Sequence, residues 1–263
     1  MTDETTVSRR EFLGAATAVA AGATLVALSA DAKPASAATQ AASTTTTPKQ
    51  LVFVVDLNKC IGCPACTEAC QAEHQVPPDW GGQIGFAGKQ AWIQIFDMGD
   101  GTYLPVMCQN CADAPCAKVC PVGATFYDEN HTVLIDQNRC IGCRYCVVSC
   151  MYARRFFNWF APPVPPEDEA VPYSPDYNLP HRVGVAEKCI WCPTRVQQGQ
   201  VPACVESCAT IGINALWFGD ANQDVVSNGI TSQPLSAMLA GRGAYKLNEE
   251  YGTEPNVYYL PHE

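Results

Sequence analysis

Sixteen cysteines constrain this chain more than any other feature of its 263 residues. They fall into four groups of four, and no cysteine is left over. The first and third groups read C-x2-C-x2-C-x3-C, the second C-x2-C-x4-C-x3-C and the fourth C-x2-C-x11-C-x3-C. The groups are Cys60, Cys63, Cys66 and Cys70; Cys108, Cys111, Cys116 and Cys120; Cys140, Cys143, Cys146 and Cys150; and Cys189, Cys192, Cys204 and Cys208. Any fold of this chain has to gather these thiols into compact sites.

Three chemistries use cysteines in such numbers: disulfides, zinc sites and iron–sulfur clusters. Disulfides are usual for an even number of cysteines in an exported protein, but they join opposed pairs of side chains. Zinc sites usually pair two C-x2-C units around one ion, and a third and fourth cysteine in the same run exceed that pattern. The run C-x2-C-x2-C-x3-C is typical of bacterial [4Fe–4S] ferredoxins. The spacing therefore favours four [4Fe–4S] clusters, with disulfides and zinc as the alternatives.

The spacing of the cysteines has a geometric reason. A cubane needs one thiolate for each of its four irons, and cysteines at i, i+3 and i+6 lie on a loop that curls over one cubane. Gly62 and Gly142 stand between the first two cysteines of their groups, where a glycine allows the backbone to approach closely. We expect the fourth cysteine of each group to begin the next helix, to point elsewhere and to ligate a partner cluster.

An internal repeat relates the first group to the third. The segment DLNKCIGCPACTEAC at 56–70 matches DQNRCIGCRYCVVSC at 136–150. Apolar runs at 51–55 and 132–135 precede the two segments, and short apolar runs of this kind predict strands. The repeat therefore predicts two copies of a strand followed by a cluster loop.

The lengths of chain between the groups indicate how they pair. Only 20 residues separate Cys120 from Cys140, room for one hairpin, whereas the other neighbouring groups are 38 and 39 residues apart. We therefore expect the second and third groups to form an inner module, and the first and fourth to form an outer module around it. The predicted ligand sets cross over within each module: Cys60, Cys63, Cys66 with Cys208; Cys189, Cys192, Cys204 with Cys70; Cys108, Cys111, Cys116 with Cys150; and Cys140, Cys143, Cys146 with Cys120.

The predicted fold class is α+β and loop-rich. We expect two nested bacterial-ferredoxin-like modules, built from short β-hairpins and short helices around four cubane clusters. The outer module takes residues 51–107 and 182–220, and the inner module takes residues 108–160. A Pro-rich insertion at 161–181 is expected to be extended and exposed, either as a plain surface loop or as an arm that docks a partner. Residues 221–263 form a tail that packs on the core or on a partner.

The first 37 residues predict targeting rather than folded structure. Arg9-Arg10 stand before an Ala-rich, mildly apolar run in which the next charge is Asp31. SRREFL resembles the twin-arginine signal of proteins exported already folded; an uncleaved membrane anchor is the alternative. Residues 38–50 are expected to form a linker. Such a route would deliver thiols already bound to iron to the periplasmic side of the cytoplasmic membrane.

Charge and motifs exclude several function classes. The formal net charge is −10 at pH 7, which argues against nucleic acid as a partner because phosphates attract basic surfaces. No nucleophile elbow, phosphate loop or dinucleotide fingerprint appears in the sequence. We therefore expect an electron carrier with no catalytic residues of its own.

A few residues near the cysteines have two possible roles. Basic side chains directly before the first cysteine of a group either favour the reduced form of a cluster or are solvated: Lys59, Arg139 and Lys188. Trp191, between Cys189 and Cys192, either shields a cluster from water or fills the core. The histidines show no ligand spacing, and we expect them at the surface: His74, His131, His181 and His262.

The chain resembles the four-cluster ferredoxin-like subunits of membrane-bound respiratory oxidoreductases, such as dimethyl sulfoxide, polysulfide and tetrathionate reductases. The resemblance runs from about residue 51 to 260 and rests on the order of the four groups, on CQNCADAPCAKVCPVGAT and on VPACVESC. It implies a subunit that relays single electrons through four clusters. The implied partners are an integral membrane subunit that handles quinone and either a molybdopterin catalytic subunit or a multihaem cytochrome c. A stand-alone exported ferredoxin is a further alternative.

Export is expected to depend on Arg9 and Arg10. Changing both to Lys should leave the precursor in the cytoplasm, because the twin-arginine route reads this pair. Cell fractionation and immunoblotting measure the distribution, with Lys33→Ala as a control that removes a charge behind the apolar run and should still be exported. Recovery of the double variant in the periplasm would show that another route reads the signal.

Overall fold

Short helices and strands joined by long loops make up the computed structural model of this chain. It describes residues 49–76, 91–161 and 172–262. The predicted signal at 1–37, the linker as far as residue 48 and the first part of the Pro-rich insertion, 162–171, lie outside the described residues. The mixture of helix and strand agrees with the predicted α+β class.

A five-stranded sheet forms the largest regular element of the described chain. Strand β1 (Leu51–Asp56) pairs antiparallel with β8 (Leu216–Asp220) and parallel with β11 (Val257–Leu260). Strands β9 (Val225–Ser227) and β10 (Ser232–Gln233) extend the sheet beyond β8. The last forty or so residues of the chain thus supply three of the five strands, so this tail packs on the core.

Strand β1 is buried on both of its faces. Phe53 and Val55 belong to the main apolar cluster, while Val52 and Val54 pack in a second cluster beneath a short helix at Leu235–Leu239. All six residues of the strand are buried, as expected for an apolar run without polar alternation. Each fully buried Val or Phe side chain contributes about 1.5–3 kcal/mol, so β1 anchors the first cysteine group to the core.

Three two-stranded antiparallel ribbons lie outside the main sheet. They are β2 (Gln94–Asp97) with β3 (Tyr103–Val106), β4 (Thr125–Tyr127) with β5 (Val133–Ile135), and β6 (Phe156–Phe157) with β7 (Ala186–Glu187). The β4–β5 ribbon confirms the hairpin predicted between the second and third cysteine groups. The strands predicted at 51–55 and 132–135 are also present.

The described helices are short and mostly follow cysteine loops. They are α1 (Ala65–His74), α2 (Pro115–Lys118), α3 (Tyr145–Val148), α4 (Pro193–Gln197), α5 (Ala203–Thr210) and α6 (Leu235–Leu239). Helix α1 packs on α5, and α2 packs on α3. None of the helices in the described ranges is long and apolar enough to cross a membrane.

The helices correct one prediction about the cysteines. The fourth cysteine of a group does not begin a helix, because the helix already starts around the third. Cys66 and Cys70 both lie within α1, while α2 contains Cys116 and ends just before Cys120. An x3 spacing amounts to one helical turn, and residues at i and i+4 share a helix face. In α1 and α5 the third and fourth cysteines therefore stand one above the other, whereas Cys120 and Cys150 follow the ends of α2 and α3.

Most of the described part of the Pro-rich insertion, residues 172–181, is packed and not exposed as predicted, although Pro172 and Tyr177 are exposed. The hydroxyl of Tyr173 donates to the carbonyl of Ile135 at 3.0 Å and accepts from the backbone N–H of Gln137 at 2.8 Å. Asn178 is fully buried. For these residues the prediction was wrong because it weighed proline and acidic content, whereas the Tyr173 hydroxyl and the backbone carbonyl of Asn178, which accepts from Gln137 Nε2 at 3.3 Å, find partners beside β5.

The glycines between the first two cysteines of a group have the expected conformation. Gly62 and Gly142 have φ values of 76° and 70°, a region that side chains disfavour. A Cβ on Gly62 would lie 2.5 Å from the ring of Tyr103, and a Cβ on Gly142 would collide with the carbonyl oxygen of Gly184. Both positions therefore require glycine, while the approach of the backbone to a cluster stays a prediction.

Gly142→Ala is expected to destabilise the protein more than Gly199→Ala. Both glycines have positive φ, which costs an alanine about 1–2 kcal/mol, but only Gly142 faces a backbone group while Gly199 faces open space. Thermal unfolding under anaerobic conditions should show a midpoint lowered by a few degrees for Gly199→Ala, and by at least about twice as much for Gly142→Ala. Equal shifts would contradict the inferred collision.

Candidate metal centres

All sixteen cysteines lie in the described residues, and none is joined in a disulfide. Nine are buried, six are half-buried and Cys143 is exposed. Most of the thiols are kept from the surface, because each group begins near a strand or ribbon and ends on, or just after, a short helix. The fold thus brings distant cysteines close to each other.

Cysteines of the second group share a cavity with the last cysteine of the third group. Cys108, Cys111, Cys116 and Cys150 line about 350 Å³ of empty space together with Arg155 and apolar side chains. Cys150 enters this cavity because it follows α3, which packs on α2. These are the residues of one predicted ligand set.

A second cavity is lined by three cysteines of the third group and one of the second. Cys140, Cys143 and Cys146 line about 310 Å³ of empty space, and the thiol that completes the set is Cys120, from the second group. The wall includes Ile135 of β5 and other apolar residues. The second and third groups thus each give three cysteines to one cavity and one to the other.

The first and fourth groups are interleaved in the same manner. Burial, followed by the neighbouring thiols of Cys208, Cys60 and Cys63, raises the pKa of the Cys66 thiol to about 12. A pKa responds in this way only to groups nearby. Cys208 is therefore the thiol from the fourth group that joins the first three cysteines of the chain.

The remaining four thiols make up the most deeply buried set. Burial first, and then the thiols of Cys192, Cys70 and Cys189, raises the pKa of Cys204 well above its ordinary value. Burial and the thiols of Cys189 and Cys192 do the same to Cys70. The structure thus brings together all four predicted sets, although ligation of iron by each cysteine stays a prediction.

The residues around the thiols suit a cluster held by thiolates. Burial acts to raise the pKa of the Cys120 thiol, but backbone N–H groups, among them Thr125 and Ala124, outweigh it and lower the pKa. Ala124 donates to the Cys120 sulfur at 3.1 Å, and Ala215 donates to the Cys208 sulfur at 3.3 Å. Hydrogen bonds to cysteine sulfur are one of the means by which proteins stabilise reduced clusters.

Across the described ranges, no three His, Cys, Asp or Glu side chains are arranged to hold a single metal ion. The four sets nevertheless fit a cubane. A cubane distributes its ligands over four irons, so its thiolates stand farther apart than the ligands of a mononuclear zinc site, in which each sulfur lies about 2.3 Å from one ion.

Two of the four histidines are buried, which corrects the prediction that all lie at the surface. His74 is 3% exposed, and its Nε2 lies 3.1 Å from the sulfur of Cys192. Burial is the main cause that lowers the pKa of His74 to about 4, so the ring is neutral at pH 7. A signal was available in the sequence, because His74 follows Cys70 by one helical turn on α1. His131 and His262 are exposed, as predicted.

His181 centres a buried polar network that the sequence did not reveal. Its Nδ1 lies 2.7 Å from Glu187 Oε1, and its Nε2 donates to the carbonyl of His74 at 2.9 Å. Asn158 and Gln137 also donate to Glu187 Oε1, at 2.7 and 3.1 Å. Burial acts to lower the pKa of His181, but Glu187 outweighs it and raises the pKa. The network fastens the insertion to both pairs of cysteine sets.

Trp191 fills the core where the two pairs of sets meet. It is 1% exposed, packs edge-on against Phe53 and Phe218, and donates from Nε1 to the carbonyl of Cys108 at 2.9 Å. The neighbouring Lys188 is fully buried and donates to the carbonyl of Cys189 at 2.8 Å, whereas Lys59 is half exposed. Of the two possible roles of Lys188, a solvated side chain is thus excluded.

Two family models, each described as a 4Fe-4S dicluster domain, match the chain. One matches residues 100–165 and again 162–220, and the other matches residues 59–124. Together the matches span all four cysteine groups. They follow the order of the sequence, so they do not distinguish nested modules from consecutive ones.

Subunits of several oxidoreductases are similar to the chain over most of its length. The iron-sulfur cluster-binding subunit of menaquinone reductase from Nitratidesulfovibrio vulgaris is 34% identical over 79% of this chain and 87% of that protein. The electron transfer subunit of thiosulfate reductase from Salmonella typhi is 35% identical over 75% and 91%. A subunit of tetrathionate reductase from Salmonella typhimurium is 34% identical over 96% and 88%.

The crossing of the cysteine sets predicts how single substitutions group. Cys150→Ser should perturb the same electron paramagnetic resonance signal as Cys108→Ser, because both thiols line one cavity. Both variants should leave the signal that is lost in Cys143→Ser comparatively intact, because Cys143 lines the other cavity. The crossing is wrong if Cys150→Ser and Cys143→Ser remove one and the same signal while Cys108→Ser affects another.

Proposed function

The chain belongs to the family of 4Fe–4S dicluster iron–sulfur subunits of reductase complexes, and we propose that it relays single electrons between a membrane subunit that handles quinone and a molybdopterin catalytic subunit. Its relatives are electron-transfer subunits and not the catalytic parts of their complexes. The family and the sixteen cysteines give it four [4Fe–4S] clusters. Each cluster supplies a one-electron centre when bound, and the protein's own part is to hold, order and insulate these centres.

We assign the clusters to the crossed sets that the cavities and thiol neighbourhoods support. The ligands proposed are Cys60, Cys63, Cys66 and Cys208; Cys70, Cys189, Cys192 and Cys204; Cys108, Cys111, Cys116 and Cys150; and Cys120, Cys140, Cys143 and Cys146. The packing of α1 on α5 and of α2 on α3 supports two nested ferredoxin-like modules.

The order of the four sets is the observation that carries the proposal. Helix α1 bears Cys66 of one outer set and Cys70 of the other. The thiol of Cys108 helps to raise the pKa of Cys189, after burial, so one outer set adjoins one inner set. The α2–α3 pair then links the two inner sets. Such a single file, with an accessible set at either end, is what an electron relay between two partners needs.

Exposed isoleucines mark both ends of this file. Ile61 is 60% exposed beside the half-buried Cys60 and Cys63, and Ile141 is 64% exposed beside the exposed Cys143. They are equivalent positions in the internal repeat. Tyr145, 64% exposed, and Val148, 86% exposed, enlarge the apolar surface at the inner end. Large exposed apolar side chains that cluster together are typical of protein interfaces, so we propose that each end docks one partner subunit.

The periplasmic side of the cytoplasmic membrane is the proposed location. The twin-arginine-like pair Arg9-Arg10 supports it, because this route exports folded proteins with their cofactors in place. The complete use of the cysteines also supports it, since thiols bound to iron are protected from the oxidising compartment. The partner subunits would hold the protein at the membrane.

Purification from membranes under anaerobic conditions tests the relay. We expect about 16 iron atoms per chain, from four cubanes, together with a membrane subunit and a molybdopterin subunit. If a multihaem cytochrome c is recovered in place of the molybdopterin subunit, the relay connects the membrane subunit to that cytochrome. Recovery of the loaded chain alone would make it a stand-alone ferredoxin, and stoichiometric zinc or half the iron would contradict the cluster assignment.

Substitution of the exposed isoleucines tests the two docking ends separately. Ile141→Asp and Ile61→Asp should each weaken binding of a different partner by about tenfold or more, as loss of a buried interface anchor does, while the iron content stays unchanged. Ile230→Asp is the matched control, because Ile230 is 68% exposed on a turn that carries no cysteine. Loss of the same partner from both test variants would contradict a file with two ends.

A further inference from the structure

Arg155 stands at the junction of the two inner cysteine sets. Its guanidinium donates from Nη2 to the sulfur of Cys116 at 3.2 Å and from Nη1 to the hydroxyl of Thr125 at 3.1 Å. It lines the cavity of the Cys108 set. The Cys146 thiol of the other inner set is within reach of the same guanidinium, because Cys146 and Cys116 belong to one buried cluster and their helices, α3 and α2, pack on each other. One side chain therefore faces a cysteine of each inner set.

The charge of Arg155 is buried, and its counter-charge comes from cysteines. The residue is 5% exposed, and in the described ranges no carboxylate forms an ion pair with it. Its nearest groups of potential negative charge are the Cys116 sulfur at 3.2 Å and the other cysteines of the adjoining cavity. Because an uncompensated buried charge is costly, the thiolates of a bound cluster are the counter-charge that suits this position.

One hydrogen-bond donor of Arg155, its Nε, is buried and has no acceptor among the described residues. Buried donors are nearly always satisfied in native proteins. The adjoining cavity is lined by four cysteines, and the sulfur atoms of a cluster bound there are acceptors of the right chemical kind.

We propose that Arg155 raises the reduction potentials of both inner clusters by presenting one buried guanidinium to a ligand of each. The inference rests on the cluster assignment proposed above. Reduction adds one electron, and hence negative charge, to a cluster and its thiolates, so a nearby cation favours the reduced form. A guanidinium suits this position because its planar fork has five donors and keeps its charge when buried.

We expect exposed cations of the same module to have little effect on the reduction potentials of the inner clusters. Lys118 is on α2, two residues after Cys116, but its side chain is 62% exposed and pairs with Asp113. Water and salt screen such a charge, whereas a buried charge acts through a medium of lower dielectric constant. Lys118→Gln therefore removes one positive charge from the module without removing a buried contact, and it serves as the matched control.

Redox titration of the purified, cluster-loaded protein, followed by electron paramagnetic resonance, tests the proposal. The inner signals are first identified as those that respond to Cys108→Ser and Cys143→Ser. Arg155→Gln should then shift both inner midpoint potentials to more negative values and leave the outer two unchanged. Arg155→Lys, which keeps the charge but not the fork, should shift at least one inner potential in the same direction by a smaller amount. Lys118→Gln should shift none.

Iron content separates this inference from the proposed function. A wild-type chain without about 16 iron atoms and four signals would overturn the cluster assignment and the role of Arg155 with it. If the wild type is loaded and both Arg155 variants leave the inner potentials unchanged, only the role of Arg155 fails. If Arg155→Gln does not retain its iron, Arg155→Lys decides, because a purely structural role would lower its stability without moving a potential.

Discussion

The x3 spacing between the third and fourth cysteines of each group is the constraint on which this structure depends. In α1 and α5 the two thiols share a helix face, and in the other two groups the fourth cysteine follows the end of the helix, yet in every group the two thiols belong to different sets. Each helix of this kind therefore lies between two sets, and a set is complete only when two such helices pack together. Helix α1 on α5 and α2 on α3 meet this requirement, and the sheet around β1 and the β4–β5 ribbon hold the pairs in place.

Gathering sixteen thiols makes it unfavourable for them to ionise, and several surrounding groups oppose this effect. Burial and crowding raise the pKa values of most of these thiols, so as free groups they would resist ionisation. Backbone N–H donors, the guanidinium of Arg155 and the ammonium of Lys188 oppose this at particular cysteines. In a cluster, iron takes the place of the thiol protons, and the chain belongs to a family of proteins that bind 4Fe–4S clusters.

Much of the site could be predicted from the sequence because cluster ligation depends on local spacing. The cysteine groups, the β4–β5 hairpin and the conformations of Gly62 and Gly142 follow from short segments read in isolation. Predictions failed where a side chain found its partner far along the chain. The ring of His74 meets Cys192, 118 residues away, and Tyr173 meets the backbone of Ile135 and Gln137. The composition of the segments around His74 and Tyr173 does not indicate these distant partners.

The sequence by itself determined the cofactor chemistry and the four groups of cysteines that can serve it, because these depend on residue type and on spacings of a few residues. Only the tertiary structure decided which buried charges face which set, that the tail joins the central sheet through β11, and that part of the Pro-rich insertion is packed. The physical reason is that burial and long-range pairing depend on what other segments supply. A lysine or arginine beside a cysteine has the same appearance in the sequence whether water or a thiolate surrounds it.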